Sequence, residues 1–230
     1  MWTDSEGMKD EPVPEAMTES DIKDTIGEYV QAAKNGVAAG FDGIELHAAN
    51  GYLLEQWLRP NTNLRTDRYG GSIEGRARFV LEALDAMIAA VGPDKLAIRI
   101  SPFGVFNNMP VYPEMEADYA YLARQLNERR ILYIHLVDMG AVPVPESMKA
   151  ILRSMRNVAL ILSGGYTAER AQSDLAGDKG DLIAVAKQVL ANPDLLKRWQ
   201  TNAPLNTPDT GTFYTPGPKG YTDYTSLLEK

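Results

Sequence analysis

Apolar residues recur at three- and four-residue intervals through Ile22, Ile26, Val30, Ala33 and Val37. That spacing lays one stripe along an α-helix. Thr18 precedes the run with Asp21 three positions on, in capping-box spacing, and Gly40 stops it. A short, mainly apolar segment, Gly43-Ile44-Glu45-Leu46-His47, then reads as a strand. The cycle repeats. Helices are expected over about 73–91, 116–129, 146–155 and 168–175, and strands over 96–100, 132–137, 158–162 and 181–185. Each strand is short and apolar on both faces, as a buried parallel strand is. Strands alternating with helices indicate βα units and a parallel sheet. Right-handed crossovers leave two closures, a barrel or a doubly wound sheet. About five strands are expected, whereas a closed (β/α)8 barrel needs eight.

The whole chain reads as a single domain. Residues 1–17 form an irregular polar lead-in, 18–191 the βα units, and 192–230 an irregular tail rich in Pro, Gly, Thr and Tyr that packs over the scaffold. No sequence-level duplication accompanies the structural repeat.

Composition narrows the chemistry. Of 230 residues, 44% are hydrophobic and 23% charged, which excludes wholesale disorder. There is no cysteine, so disulfides, zinc-thiolate sites and thiol nucleophiles are excluded. Two histidines, His47 and His135, argue against a multi-histidine metal site, and no metal is expected. A net charge of −8 disfavours nucleic-acid binding, which needs a basic surface. No stretch approaches the ~18 apolar residues of a membrane span. The first residues show no basic-then-apolar secretion signal, so a cytoplasmic location is expected.

In parallel α/β folds, sites form where strands end. After the first strand, His47-Ala48-Ala49-Asn50-Gly51-Tyr52 places an imidazole, an amide and a phenol within six residues. Two neutral donors can polarise one carbonyl oxygen while the phenol delivers a proton. The same residues also suit an ordinary strand end and loop. Arg99 lies inside an apolar strand, where a guanidinium costs several kcal/mol unless paired. It needs an anionic or strongly accepting partner, either a ligand or a structural carboxylate. His135 points into the core or toward the site, and a satisfied structural histidine is the favoured reading. Gly164-Gly165 precede a helix, where backbone N–H groups can hold a phosphate, although a tight turn is the alternative. Lys187 adds a point charge to the same phosphate or is simply solvated. The polar connection 59–72 is long for a βα loop and is either functional or a brace for the barrel mouth.

Together these residues resemble the old yellow enzyme family of FMN-dependent ene-reductases. The likeness runs from Trp2-Thr3-Asp4 to Asp223-Tyr224. It is densest over 41–54, Phe-Asp-Gly-Ile-Glu-Leu-His-Ala-Ala-Asn-Gly-Tyr-Leu-Leu, and continues through Arg65-Thr66-Asp67-Arg68-Tyr69-Gly70-Gly71-Ser72 and Arg99-Ile100-Ser101-Pro102. The resemblance implies a TIM barrel holding non-covalent FMN, with NAD(P)H as reductant and an enone or nitro-alkene as substrate. It implies that His47 and Asn50 grip the substrate oxygen and that Tyr52 protonates the α-carbon. Arg99 would lie against the N1/O2 edge of the flavin, Gly164 and Gly165 would hold the phosphate, and Phe213 and Tyr214 would line the flavin and substrate pocket.

The chain departs from the family pattern in two places. The family's first three βα units, with a flavin-contacting threonine and glutamine, have no counterpart here. The family's Gly-Arg after the last strand reads Ala186-Lys187. Lysine replaces a guanidinium fork only as a point charge, and a methyl group obstructs the close approach that glycine allows. An arc of strands four to eight leaves open edges that seek a partner. The expectation is a fragment, a truncated paralogue, or a chain completed by a second copy or another polypeptide. A cofactor-free pseudoenzyme or assembly module is the alternative function, and a flavin-free phosphate-binding barrel a weaker third.

Overall fold

The computed structural model describes residues 2–3, 7–8, 13–139 and 142–227. Parts of the expected lead-in (1, 4–6 and 9–12) and the last three residues of the tail lie outside the described residues. Within the lead-in, β1 (Trp2–Thr3) and β2 (Gly7–Met8) pair antiparallel, where an irregular segment is expected.

The βα alternation follows. It runs α1 (Glu19–Ala38), β3 (Ile44–Ala48), a short α2 (Leu53–Leu58), α3 (Ile73–Val91), β4 (Leu96–Ile100), α4 (Met115–Arg129), β5 (Tyr133–Val137), α5 (Glu146–Arg153), β6 (Ala159–Ser163), α6 (Ala168–Ala176) and β7 (Leu182–Ala184). The short helices α7 (Lys187–Ala191) and α8 (Leu195–Thr201) close the order. α8 lies inside the tail expected to be irregular.

Local chemistry sets the helix ends. Thr18 Oγ1 accepts from Asp21 N at 3.2 Å while the Asp21 carboxylate accepts from Thr18 N at 2.7 Å, a complete capping box. Thr167 caps α6 by accepting from Arg170 N at 3.3 Å. α3 stops at Gly92, whose φ of 91° suits glycine, and Pro93 follows.

The five long-range strands form one parallel sheet in the order β3-β4-β5-β6-β7. Each strand neighbours the next in sequence, so every crossover advances the same way. Right-handed crossovers then set all the connecting helices on one face. A doubly wound sheet reverses its order and carries helices on both faces. The order therefore decides between the two closures in favour of a barrel arc.

The core fills the space between the sheet's outer face and the helices. Leu46, Ile98, Ile134, Leu136, Leu160 and Leu162 from the strands meet Val80, Leu84, Leu122, Leu126 and Leu152 from α3, α4 and α5. Burying each such side chain contributes roughly 1.5–3 kcal/mol. Alternation turns the intervening residues, Glu45, His47, Ala97, Arg99, Tyr133, His135 and Ile161, to the concave face. No helix among the described residues is long and apolar enough to cross a membrane.

Candidate active site

Strand register assembles the concave face. His47 is the Cα partner of Arg99, Arg99 of His135, His135 of Ile161, and Ile161 of Leu182. One row thus crosses all five strands, polar on the first three and apolar on the last two. The sequence names its polar members, but only pairing across 88 residues of chain sets them side by side.

Arg99 forms no ion pair among the described residues, and its buried Nε has no hydrogen-bond partner. The structural-carboxylate alternative is not realised within them. His135 faces the concave side, with Nδ1 3.0 Å from Glu45 Oε2. Its buried Nε2 has no partner among the described residues, so the expectation of a satisfied structural histidine is half met. For Glu45, burial pushes the pKa up, but hydrogen bonds to His135 and Tyr133 and the Arg99 charge reverse this and hold it below the ordinary carboxylate range. Burial and the Glu45 charge push the Tyr133 phenol up to about 12. Burial and the positive Arg99 push the His47 imidazole below its usual value, so His47 is neutral at pH 7 and can donate one N–H without carrying charge.

The turn after β3 carries the other two residues. Asn50 (φ 59°) and Gly51 (φ 73°) are successive left-handed residues. Tyr52 follows as the N-cap residue of α2, half-exposed, its ring centroid 5.4 Å from that of His47 and tilted 44°. Among the described residues the Asn50 side-chain amide makes no hydrogen bond and is available to a ligand. His47, Asn50 and Tyr52 therefore cluster at the mouth, with Arg99 beside His47.

Gly164 and Gly165 end β6 with φ 138° and 60°. A Cβ on Gly164 would stand 1.9 Å from Asp138 O, so this glycine is required by packing alone. A Cβ on Gly165 would meet nothing within 4 Å, which leaves open space at the start of α6. Arg170 Nη1 donates to Gly164 O at 2.8 Å and fixes the loop. Lys187 starts α7, exposed, just beyond the end of the neighbouring strand β7, and forms no ion pair among the described residues. Phe213 and Tyr214 meet edge to face at 6.5 Å, and Tyr214 is 97% exposed. Among the described residues, no hydrogen bond or ring contact joins this pair to the His47–Arg99–His135 row.

Sequence reasoning missed the support beneath the turn. Asn50 N donates to Ser101 Oγ at 2.8 Å, Gly51 N donates to Glu55 Oε2 at 2.7 Å, and Arg59 Nη2 donates to Glu55 Oε1 at 2.7 Å. Glu55 and Arg59 are 1% and 0% exposed. The available signal was an acid and an arginine four apart, which usually marks a solvated pair.

A cleft of about 330 Å³ lies at the opposite end of β6 between Arg153, Arg156 and Asp181. Arg153 there is paired with Asp181 at 2.8 Å and Arg156 is exposed, so the cleft holds no buried unpartnered nitrogen like Arg99 Nε.

Unpartnered cationic and imidazole nitrogens on a concave face, with an open glycine at a helix start, fit an electron-rich ring system that carries a phosphate. The five-strand parallel arc is the frame of a partial α/β barrel. The chain belongs to the NADH:flavin oxidoreductase / NADH oxidase family, the old yellow enzyme family, whose pattern matches residues 3–206. It is 40% identical over 227 residues to 12-oxophytodienoate reductase 1 of Oryza sativa subsp. japonica, covering 94% of this chain and 58% of that protein. It is 40% identical over 213 residues to a protein of Leishmania infantum named probable flavin mononucleotide-dependent alkene reductase, covering 93% of this chain and 58% of that one. Among solved structures, morphinone reductase superposes with a TM-score of 0.91 at 40% identity, over 96% of this chain and 60% of that one. Morphinone reductase in complex with tetrahydroNAD superposes with a TM-score of 0.87 at 41% identity, over 93% and 58%. The chain thus spans about three-fifths of the length of these relatives.

Proposed function

We propose that this chain carries the substrate-activating side of an FMN-dependent, NAD(P)H-driven ene-reductase acting on α,β-unsaturated carbonyl or nitro compounds. The observation that carries the reading is the half-buried Arg99, whose buried Nε has no hydrogen-bond partner among the described residues, next to a His47 imidazole held below its usual pKa. FMN, when bound, supplies the two-electron step from reduced nicotinamide to the alkene. His47 and Asn50 donate hydrogen bonds to the substrate oxygen and draw electron density from the alkene. The Tyr52 phenol delivers the proton to the α-carbon and is re-protonated from solvent, which its exposure permits. Arg99 offers a fixed positive charge where negative charge accumulates. Gly164, Gly165 and Lys187 hold the phosphate, and Phe213 and Tyr214 line the flavin and substrate pocket.

The sheet's edges β3 and β7 each pair on one side only among the described residues. We further propose that additional strands close them, from the same polypeptide, a second copy or a complementing chain.

The test is spectroscopic. Purified protein reconstituted with FMN should be yellow, bleach with NADPH and recover colour with an enone. Tyr52→Phe should slow recovery about 10²- to 10⁴-fold, the usual contribution of a general acid, while sparing bleaching. Equal loss in both half-reactions would remove Tyr52 from its role. A colourless oligomer that takes up no FMN would favour the pseudoenzyme or assembly reading, to which Ala186-Lys187 and the open edges also point.

A further inference from the structure

We propose that Glu55 and Ser101 are positioning residues that clamp the Asn50–Gly51 turn and so aim the Asn50 amide. The inference rests on the reading of Asn50 as a substrate-oxygen ligand.

The clamp is built around one buried carboxylate. Glu55 Oε2 accepts from Gly51 N at 2.7 Å and from Ser101 Oγ at 2.9 Å. Ser101 Oγ in turn accepts from Asn50 N at 2.8 Å. Both amides of the turn are thereby held, Gly51 N by the carboxylate directly and Asn50 N through the Ser101 hydroxyl. Glu55 Oε1 accepts from Arg59 Nε at 3.1 Å, Arg59 Nη2 at 2.7 Å and Tyr119 OH at 3.0 Å. Both oxygens are fully engaged, so the carboxylate has one orientation.

The other ends of the network reach the loop after β4. Arg59 donates to Ser101 O at 3.3 Å, Gly104 O at 3.2 Å and Pro110 O at 3.3 Å. Asn107 Nδ2 donates to Asn50 O at 2.8 Å. A Cβ on Gly51 would meet Asn107 Cβ at 2.7 Å and Phe106 O at 2.9 Å. The turn is therefore locked from below by Glu55 and from the side by the β4 loop.

Stability alone is a poor reason for this arrangement. A buried ion pair is often matched or bettered by apolar residues of the same volume. A left-handed asparagine also costs roughly 1 kcal/mol that a relaxed loop would recover. What the network secures is geometry: Asn50 stands three residues from His47 and two from Tyr52, and all three must address one small molecule.

Ser101→Ala tests the clamp, because it removes the acceptor of Asn50 N without unpairing Arg59. Two readouts are taken. Amide hydrogen exchange at Asn50 and Gly51, measured by NMR on the chain alone, needs no flavin. Cyclohex-2-enone affinity is titrated on FMN-loaded protein, with FMN affinity measured beside it. Exchange at Asn50 should accelerate at least about tenfold, and enone affinity should fall about tenfold, while FMN affinity holds; misplacement of a binding group by about an ångström suffices for such losses. Tyr69→Phe, which deletes the distant hydrogen bond from Tyr69 OH to Glu82, should move neither Asn50 exchange nor enone affinity. If Ser101→Ala does not fold, Ser101→Cys, a weaker acceptor, should shift both readouts in the same direction. Unchanged Asn50 exchange overturns the clamp, as does unchanged enone affinity in a parent that binds enone. A parent that binds no enone overturns the substrate reading instead, and the exchange readout then decides the clamp by itself.

Discussion

Beside β3 and β4 two ion pairs are buried, while the ion pairs that Arg153 and Lys179 make beside β6 and β7 reach the surface. On the first flank Glu55 bonds Arg59, and Arg76 bonds Asp118, all four buried. Asn63 Nδ2 donates to Trp57 O and Tyr69 O, both at 2.8 Å, and braces the long connection to α3. On the second flank Arg153 reaches the exposed Asp178 and Asp181, and Lys179 reaches Asp174 from solvent. β7 has three residues, and Leu182 in it is 56% exposed. The flank that would grip substrate holds its geometry with its own residues. The flank that would grip phosphate is held by ion pairs open to solvent and ends on a three-residue strand.

The largest test of this contrast is a pair of arginine truncations. Arg59→Ala should lower unfolding free energy by about 3–5 kcal/mol, because it leaves the Glu55 charge buried without a counter-ion. Arg153→Ala should cost at most about 1 kcal/mol, the range of an exposed pair. Urea denaturation of both variants measures the difference. Equal losses would erase the distinction between the flanks.

A smaller effect probes the phosphate flank. Lys187→Arg should tighten FMN binding about tenfold, because a guanidinium fork adds a charge-assisted hydrogen bond worth roughly 1.5 kcal/mol to the lysine point charge. Fluorescence titration of FMN reads the change. Unchanged affinity would take position 187 out of the phosphate site.

The legibility of the molecule follows the range of the interactions. The bounds of α3 and β4 are read directly from sequence because Ser72, Gly92 and the apolar periods are local signals. α2 escaped notice because its six residues are too few to show a helical period. α8 is seven residues long and lies between Pro193 and Pro204, so its stretch reads as loop. At the site, His47, Asn50, Tyr52 and Arg99 are legible through the family resemblance. The facing of His135 was not, because a strand apolar on both faces gives no sign of which side is concave. The role of Glu55 was not either, since its burial depends on Tyr119, 64 residues away. Sequence shows the groups that touch a ligand more readily than the groups that hold them still.

The smallest expected effect concerns acid sensitivity, and it separates the flanks by salt. Folding holds Glu45 below its ordinary pKa, so the folded state binds fewer protons there than the unfolded chain. Its contribution is complete above the unfolded value of about 4.3 and is lost as pH falls through the lowered folded value. His47 is also pushed down on folding, but as a base it is kept neutral where the unfolded chain would charge. Its effect therefore appears earlier, as stability lost when pH falls below about 6.5. Glu45→Gln should flatten the stability curve at the acid end and, by removing a charge that raises His47, steepen the slope between about pH 5 and 7, whereas His47→Gln should flatten the latter. On the other flank Asp178 is lowered by its hydrogen bond to Arg153, but that pair is exposed. Raising salt to about 0.5 M should screen the Asp178 contribution while leaving most of the Glu45 and His47 responses, which arise between partly buried groups. Urea midpoints across the pH range at two salt concentrations measure both, and equal salt sensitivity on the two flanks would contradict the burial difference from which the contrast begins.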